Sequence, residues 1–163
     1  MNAASLVSKA YETFADFPRP NRCLPADLYE SEREEFEAML EGKSRDNLQA
    51  IDLGSTTWSP LAQLSPEAFG HFMPRLIEFA LSGELDYGGE PFFERLICAA
   101  LSGPGDARFS LFKDSHRAIV HECLVFLLQD YASQVEELCW SNELRDAITR
   151  WDPNLRTPPP NEA

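Results

Sequence analysis

The sequence predicts an all-α fold: a single-domain helical bundle of about six to seven helices over residues 1–151. Three observations predict it. Apolar residues recur at three- and four-residue spacing through most of the chain. Capping residues and glycine stops bracket those runs. No segment alternates with period two among β-branched residues, which argues against strands.

The helix with the clearest start and stop spans residues 65–82. Ser65 suits the N-cap, Pro66 the first helical position and Glu67 the first turn, where negative charge meets the helix dipole favourably. Leu64 and Phe69 occupy the two positions of a hydrophobic staple, and Gly83 supplies the stop. Phe69, Phe72, Met73, Leu76, Phe79 and Ala80 form one apolar stripe. Pro74 has no amide hydrogen and crowds the carbonyl of Gly70, so a kinked helix is expected, with Gly70 relieving the clash.

From the N-terminus, Leu6, Val7, Ala10, Tyr11, Phe14 and Phe17 make residues 4–17 amphipathic, and Pro18-Arg19-Pro20 ends the run. Residues 26–41 read as a second helix with Asp27 as its cap and Gly42 after its end. Between Asp27 and Glu41 this segment carries seven acids and one base, Arg33. Ser44 caps a short helix through Leu53, and residues 54–64 run irregularly. Pro91 opens a helix ending at Gly103. Residues 115–131 form a helix apolar nearly all round, which places it centrally between the helices at 65–82 and 91–102. A last helix, broken near Ser141-Asn142, covers 133–151. The proline-rich stretch 152–163 reads as a flexible C-terminal tail.

Composition bounds the function. A chain of 163 residues with 44% apolar content and eleven Phe supports a core, and a globule this size buries roughly 70% of its unfolded surface. Its 27 acids and 14 bases give a net charge of −13, which opposes nucleic-acid binding and leaves a basic protein partner, cations or plain solubility as the reason for the excess. No apolar run approaches the length that spans a bilayer, and the N-terminus lacks a basic leader with an apolar core. The expected location is cytoplasmic, with Cys23, Cys98, Cys123 and Cys139 as reduced, buried thiols.

Catalytic and metal chemistry find no support, and no cofactor is expected. His121-Glu122 begins like a zinc-protease helix, but Val125 stands where the second histidine would be. His116 and His121 lie about 140° apart around a helix, so they do not face one ion. There is no GxSxG elbow and no phosphate-cradling glycine loop. Cys123 is two positions from His121, and such residues do not face each other on a helix.

Two surfaces stay eligible. Glu34, Glu35, Glu37 and Glu41 offer an acidic face to a basic partner, the concrete version being an immunity-like inhibitor. Alternatively, Trp58, His71 and Arg75, read as lying off the main stripe, would line a small-ligand pocket in a binding protein or enzyme.

The segment WSPLAQLSPEAFGHFMPRLIEFAL at residues 58–81 resembles the W-x-P…(L/I)-(S/T)-P-E-(A/G)-F-x-(Y/F)-(Y/F)-x-P-x-L stretch of a bacterial domain-of-unknown-function family. Phe17-Pro18-Arg19-Pro20, Arg108-Phe109, Phe112 and Arg117 are similar to that group as well. The resemblance implies a helical bacterial cytosolic protein and supplies no reaction. Some of its members carry a Cys/His-rich stretch where this chain has Glu30–Glu41, so the resemblance brings no metal ligands here.

The cap assignment is directly testable. Replacing Ser65 by Ala should cost about 1 kcal/mol, read as a lowered urea midpoint at constant slope.

Overall fold

The first helix sets the pattern for the rest of the chain: local signals start it, and packing decides where it ends. In the computed structural model, which describes residues 2–155, α1 runs Ala3–Thr13 and Asn2 caps it by accepting the Ser5 amide at 2.9 Å. Phe14 and Phe17, expected inside this helix, instead form the turn that leaves it, and both are buried. Among the described residues there are seven α-helices and no strand. No helix there is long and apolar enough to cross a membrane.

α2 spans Glu30–Leu40, starting four residues later than the sequence suggested. Asp27 does not cap it; residues 25–28 form a turn closed by the Leu28 amide on the Pro25 carbonyl. The C-terminal end of α2 is held by Arg19, which donates to the Leu40 carbonyl at 3.0 Å and also to the Lys43 carbonyl. A cation there satisfies an orphan acceptor and suits the dipole. The helix expected over 44–53 resolves into a turn at Ser44–Leu48 and a 3-10 turn at Ala50–Leu53. A second 3-10 turn, Pro60–Gln63, follows the Ser59 cap.

α3 spans Pro66–Ser82 with the expected ends: the Ser65 hydroxyl accepts the Ala68 amide, and Gly83 closes the helix at φ 75°. It continues through Pro74 without interruption. Gly70 has a role that the sequence reading did not include. A Cβ there would collide with the ring of Phe17, so glycine is what lets the turn after α1 lie against α3.

α4 covers Phe93–Ala100, α5 covers Asp114–Asp130, and the last apolar run divides into α6 (Ala132–Glu137) and α7 (Ser141–Trp151). The break falls just before Ser141, at Leu138–Trp140, where Cys139 adopts φ 63°, a left-handed conformation unusual for a residue with a Cβ. Residues 152–155, read as the start of a flexible tail, form a turn with the Leu155 amide on the Asp152 carbonyl. The remainder of the expected tail, 156–163, lies outside the described residues.

The centre of the fold belongs to α3 rather than to α5. Twelve of the 17 residues of α3 are buried, against six of 17 in α5. α3 packs against α1, α4, α5 and the 3-10 turn at 107–109, which encloses it on several sides. α5 packs against α1, α3, α6 and α7, but Val125, Phe126 and Leu128 stay half-buried. Its apolar circumference marks a semi-enclosed helix. The aromatic core joins these layers: Phe69 meets Phe109 edge-on at 5.1 Å, Phe109 meets Trp151 at 4.8 Å, and the Trp151 indole donates to the Ala100 carbonyl at 2.8 Å.

The Phe17–Gly70 contact sets two known magnitudes against each other. Alanine is favoured over glycine inside a helix by about 1 kcal/mol, whereas overpacking a core costs about 1–3 kcal/mol. Because a rigid ring fills the space, Gly70→Ala should be net destabilising, by about 1–2 kcal/mol. In a double-mutant cycle monitored by urea unfolding, pairing it with Phe17→Ala should give a combined loss smaller than the sum.

Candidate functional site

Histidine 71 shows how far packing redirects a side chain. The sequence placed it off the apolar stripe with Arg75 and Trp58, yet it is 5% exposed. Its Nε2 accepts the Arg45 amide at 3.1 Å, which assigns the neutral ring's proton to Nδ1 and directs it at the Phe17 carbonyl, 3.0 Å away; Arg45 Nη2, also 3.0 Å from Nδ1, is turned to that same carbonyl. Arg45 reinforces the same joint, donating from Nη1 to the Phe14 carbonyl at 2.8 Å and from Nη2 to the Phe17 carbonyl. These carbonyls lie in the turn that leaves α1: that of Phe14 also accepts the Phe17 amide at 3.1 Å, and both lie beyond the helical hydrogen-bond ladder. His71 and Arg45 therefore clamp the end of α1 onto α3.

Arg75 is spent in a neighbouring network. Its Nε donates to the Leu48 carbonyl at 2.9 Å and its Nη1 to Glu78 at 2.7 Å, while its guanidinium lies 4.7 Å from the Phe79 ring centre. The Tyr11 hydroxyl also donates to Glu78, at 2.8 Å; burial and this bond push its pKa up to about 12. Trp58 has its own partner, stacking on Phe36 of α2 with ring centres 4.9 Å apart. The three residues grouped by the sequence thus take separate partners, and two of them hold helices together.

Trp58 does contribute to a surface, but a different one. It is 44% exposed, and two large side chains at the start of α2 and on the turn packed against it are more so: Tyr29 at 76%, one residue before α2, and Ile51 at 56%, on that 3-10 turn. The loop carrying Trp58 is held from both ends. Gly54, at φ 66°, lets the Ser55 amide reach the Trp58 carbonyl at 3.1 Å, where a Cβ would collide. Arg95 of α4 donates to the Leu53 carbonyl at 3.0 Å, to the Gly54 carbonyl at 2.8 Å and to the Ser59 hydroxyl.

Of the four acidic residues singled out on this helix, Glu34, Glu35 and Glu41 are exposed and form no ion pair among the described residues. Glu37 is structural: its carboxylate accepts the amides of Cys23 and Leu24, each at 3.1 Å. Arg33, the one base of the helix, spends itself on the Ala26 carbonyl at 2.7 Å. The helix face consequently keeps its negative charge.

Sequence reasoning missed Tyr29, Ile51 and Arg45 as members of these arrangements. Nothing in local spacing marks them, since each acts through a neighbour distant in sequence. The cysteines also divide differently from the expectation: Cys23 and Cys123 are buried, but Cys98 and Cys139 are exposed, and all four are free thiols. Among the described residues, no three His, Cys, Asp or Glu side chains converge as metal ligands would. Comparison with known protein families, with curated proteins and with solved structures finds no match for this chain.

The clamp at His71 has a pH signature. Burial, with the nearby Arg45 charge, holds the His71 pKa below its ordinary value, so the folded chain keeps the ring neutral. The unfolded chain gains a proton near pH 6.5. Stability contributed by the neutral ring is therefore full above about pH 6.5 and falls as pH drops through that value towards the lower folded pKa. Between pH 7.5 and 5.5 the urea midpoint of the wild type should drop more than that of His71→Gln, although the variant starts lower.

Proposed function

We propose that this chain is a non-enzymatic interaction module that docks a basic protein on the face made by α2 and the Trp58 loop. The observation that carries this reading is an exposed tryptophan braced on Phe36 of a helix whose carboxylates are left unneutralised. Each half of that arrangement has a known use. Tryptophan and tyrosine dominate binding energy at interfaces because they bury much area at little entropic cost. Uncompensated surface charge steers an oppositely charged partner and sets the rate of encounter. Tyr29 and Ile51 extend the apolar contact, and Glu34, Glu35 and Glu41 supply the charge.

The bracing matters as much as the exposure. Trp58 is held by Phe36 beneath it and by Arg95, which anchors both ends of its loop. An anchor residue fixed before binding loses less freedom when the partner arrives. The net charge of −13 extends the attraction beyond this face, which suits an inhibitor that neutralises a basic partner, as an immunity protein does.

Association kinetics with a partner recovered from native lysate and purified would test the face. The double reversal Glu34→Lys with Glu35→Lys should slow association about tenfold at low salt and far less at high salt. The same reversal at the exposed Glu136 and Glu137 should have a small effect. Trp58→Ala should speed dissociation instead. Equal slowing by both reversals would remove α2 from the interface.

A further inference from the structure

A cavity of about 190 Å³ lies between α4, the 3-10 turn at 60–63 and Trp140. Leu61, Ala62 and Ala99 give it apolar walls, and the hydroxyl residues Thr56 and Ser59 line it together with Glu94, Cys98, Trp140 and two arginines. The arginines are already engaged. Arg95 donates to two carbonyls and a hydroxyl and has Asp86 at 3.9 Å. Arg108 donates from Nε to one oxygen of Asp106 at 3.0 Å and from Nη2 to the other at 3.2 Å, and also to Ser102 at 2.9 Å.

Glu94 is in the opposite situation. No lysine, arginine or histidine pairs with it among the described residues. Burial, helped by the charges of Glu90 and Asp86, pushes its carboxyl above the ordinary range, an effect the Trp140 indole N–H partly offsets. The charge left without a counterion in this lining is thus negative, and it lies in one cavity with an indole.

We propose that this cavity binds a small organic ammonium ion, its apolar body against Leu61, Ala62 and Ala99 and its nitrogen on the Glu94 carboxylate. A hydrogen bond with both partners charged is shorter and stronger than one between neutral groups, and partial burial strengthens it. The volume sets the size of the ligand. A dry cavity of about 150 Å³ holds benzene, so this one takes a ring with one short arm. The charge of the whole chain raises the local concentration of cations at its mouth. Thr56, Ser59 and Arg95 belong to both the Trp58 loop's framework and this cavity's lining, but Trp58, Tyr29, Ile51 and the α2 carboxylates do not line it, so small-ligand probes of the cavity read this site alone.

Three probes of one shape decide the matter on the full chain: benzylamine, benzyl alcohol and benzoate, titrated by amide chemical-shift changes and tryptophan fluorescence. Benzylamine should shift amides at 60–62, 94–99 and 140 and bind at least tenfold more tightly than the alcohol, with benzoate weakest. Glu94→Gln, nearly isosteric, should lower benzylamine affinity to that of the alcohol and leave the alcohol unchanged. Ala99→Leu should block all three by filling the space, with Ala62→Val as the substitute if that variant does not fold. Equal affinity for amine and alcohol, tighter binding of benzoate, or no localised shifts with any probe would each overturn the proposal; the wild-type comparison decides this without any variant.

Discussion

The structure depends on one close approach, the seating of the turn after α1 against the backbone of α3. Phe17 occupies the volume a side chain at position 70 would need, and the carbonyls of Phe14 and Phe17 receive donors from Arg45 and His71. Apolar contact and polar satisfaction act here on the same few residues. A buried carbonyl without a donor costs about 1–3 kcal/mol, comparable with the gain from burying the ring beside it. The joint is therefore cooperative: ring, glycine, arginine and histidine are each needed for the others to be worthwhile. Phe112 and His116 pack on the same rings, which carries the joint from α3 across to α5.

Much of the fold was legible because it is written in local chemistry. The cap at Ser65, the stop at Gly83 and the break before Ser141 need only neighbours within a few positions. What was misread has its cause elsewhere in the chain. Residues 44–48 do not continue as a helix because Arg45 is drawn into the joint with His71 and the α1 carbonyls. Apolar stripe analysis put His71 outside the core because it assumes one buried face, and α3 is enclosed on several. The same assumption run in reverse made α5 central, since an apolar circumference does not say how deeply its side chains are buried.

The site was legible in part, and the division is physical. Acidic residues at helical spacing declare a charged face, and Glu34, Glu35 and Glu41 are exposed as that spacing implied. Glu37 shares the spacing but caps the amides of Cys23 and Leu24, a role set by where the preceding loop falls. Trp58 was visible as a loop aromatic, whereas its support on Phe36 and its tether through Arg95 come from segments about 20 and 40 residues away. The cavity beside Trp140 had no sequence trace at all, since four separate segments build it, two of them through a single side chain, Arg108 and Trp140.

The pairing of α1 with α5 has a consequence for how the chain is made. Lys9 meets Glu122 at 2.8 Å, and His116 meets the Thr13 carbonyl at 3.0 Å across a separation of 103 residues. On a ribosome adding about 5–20 residues per second, α1 emerges roughly 5–20 seconds before the helix that covers it. For the first part of that interval nothing in the fold shields Leu6, Ala10 and Phe14, and once residue 82 is made only α3 does. Folding of this protein is thus gated by synthesis, and the nascent chain presents an amphipathic helix to whatever holds unfinished proteins until residue 130 has appeared.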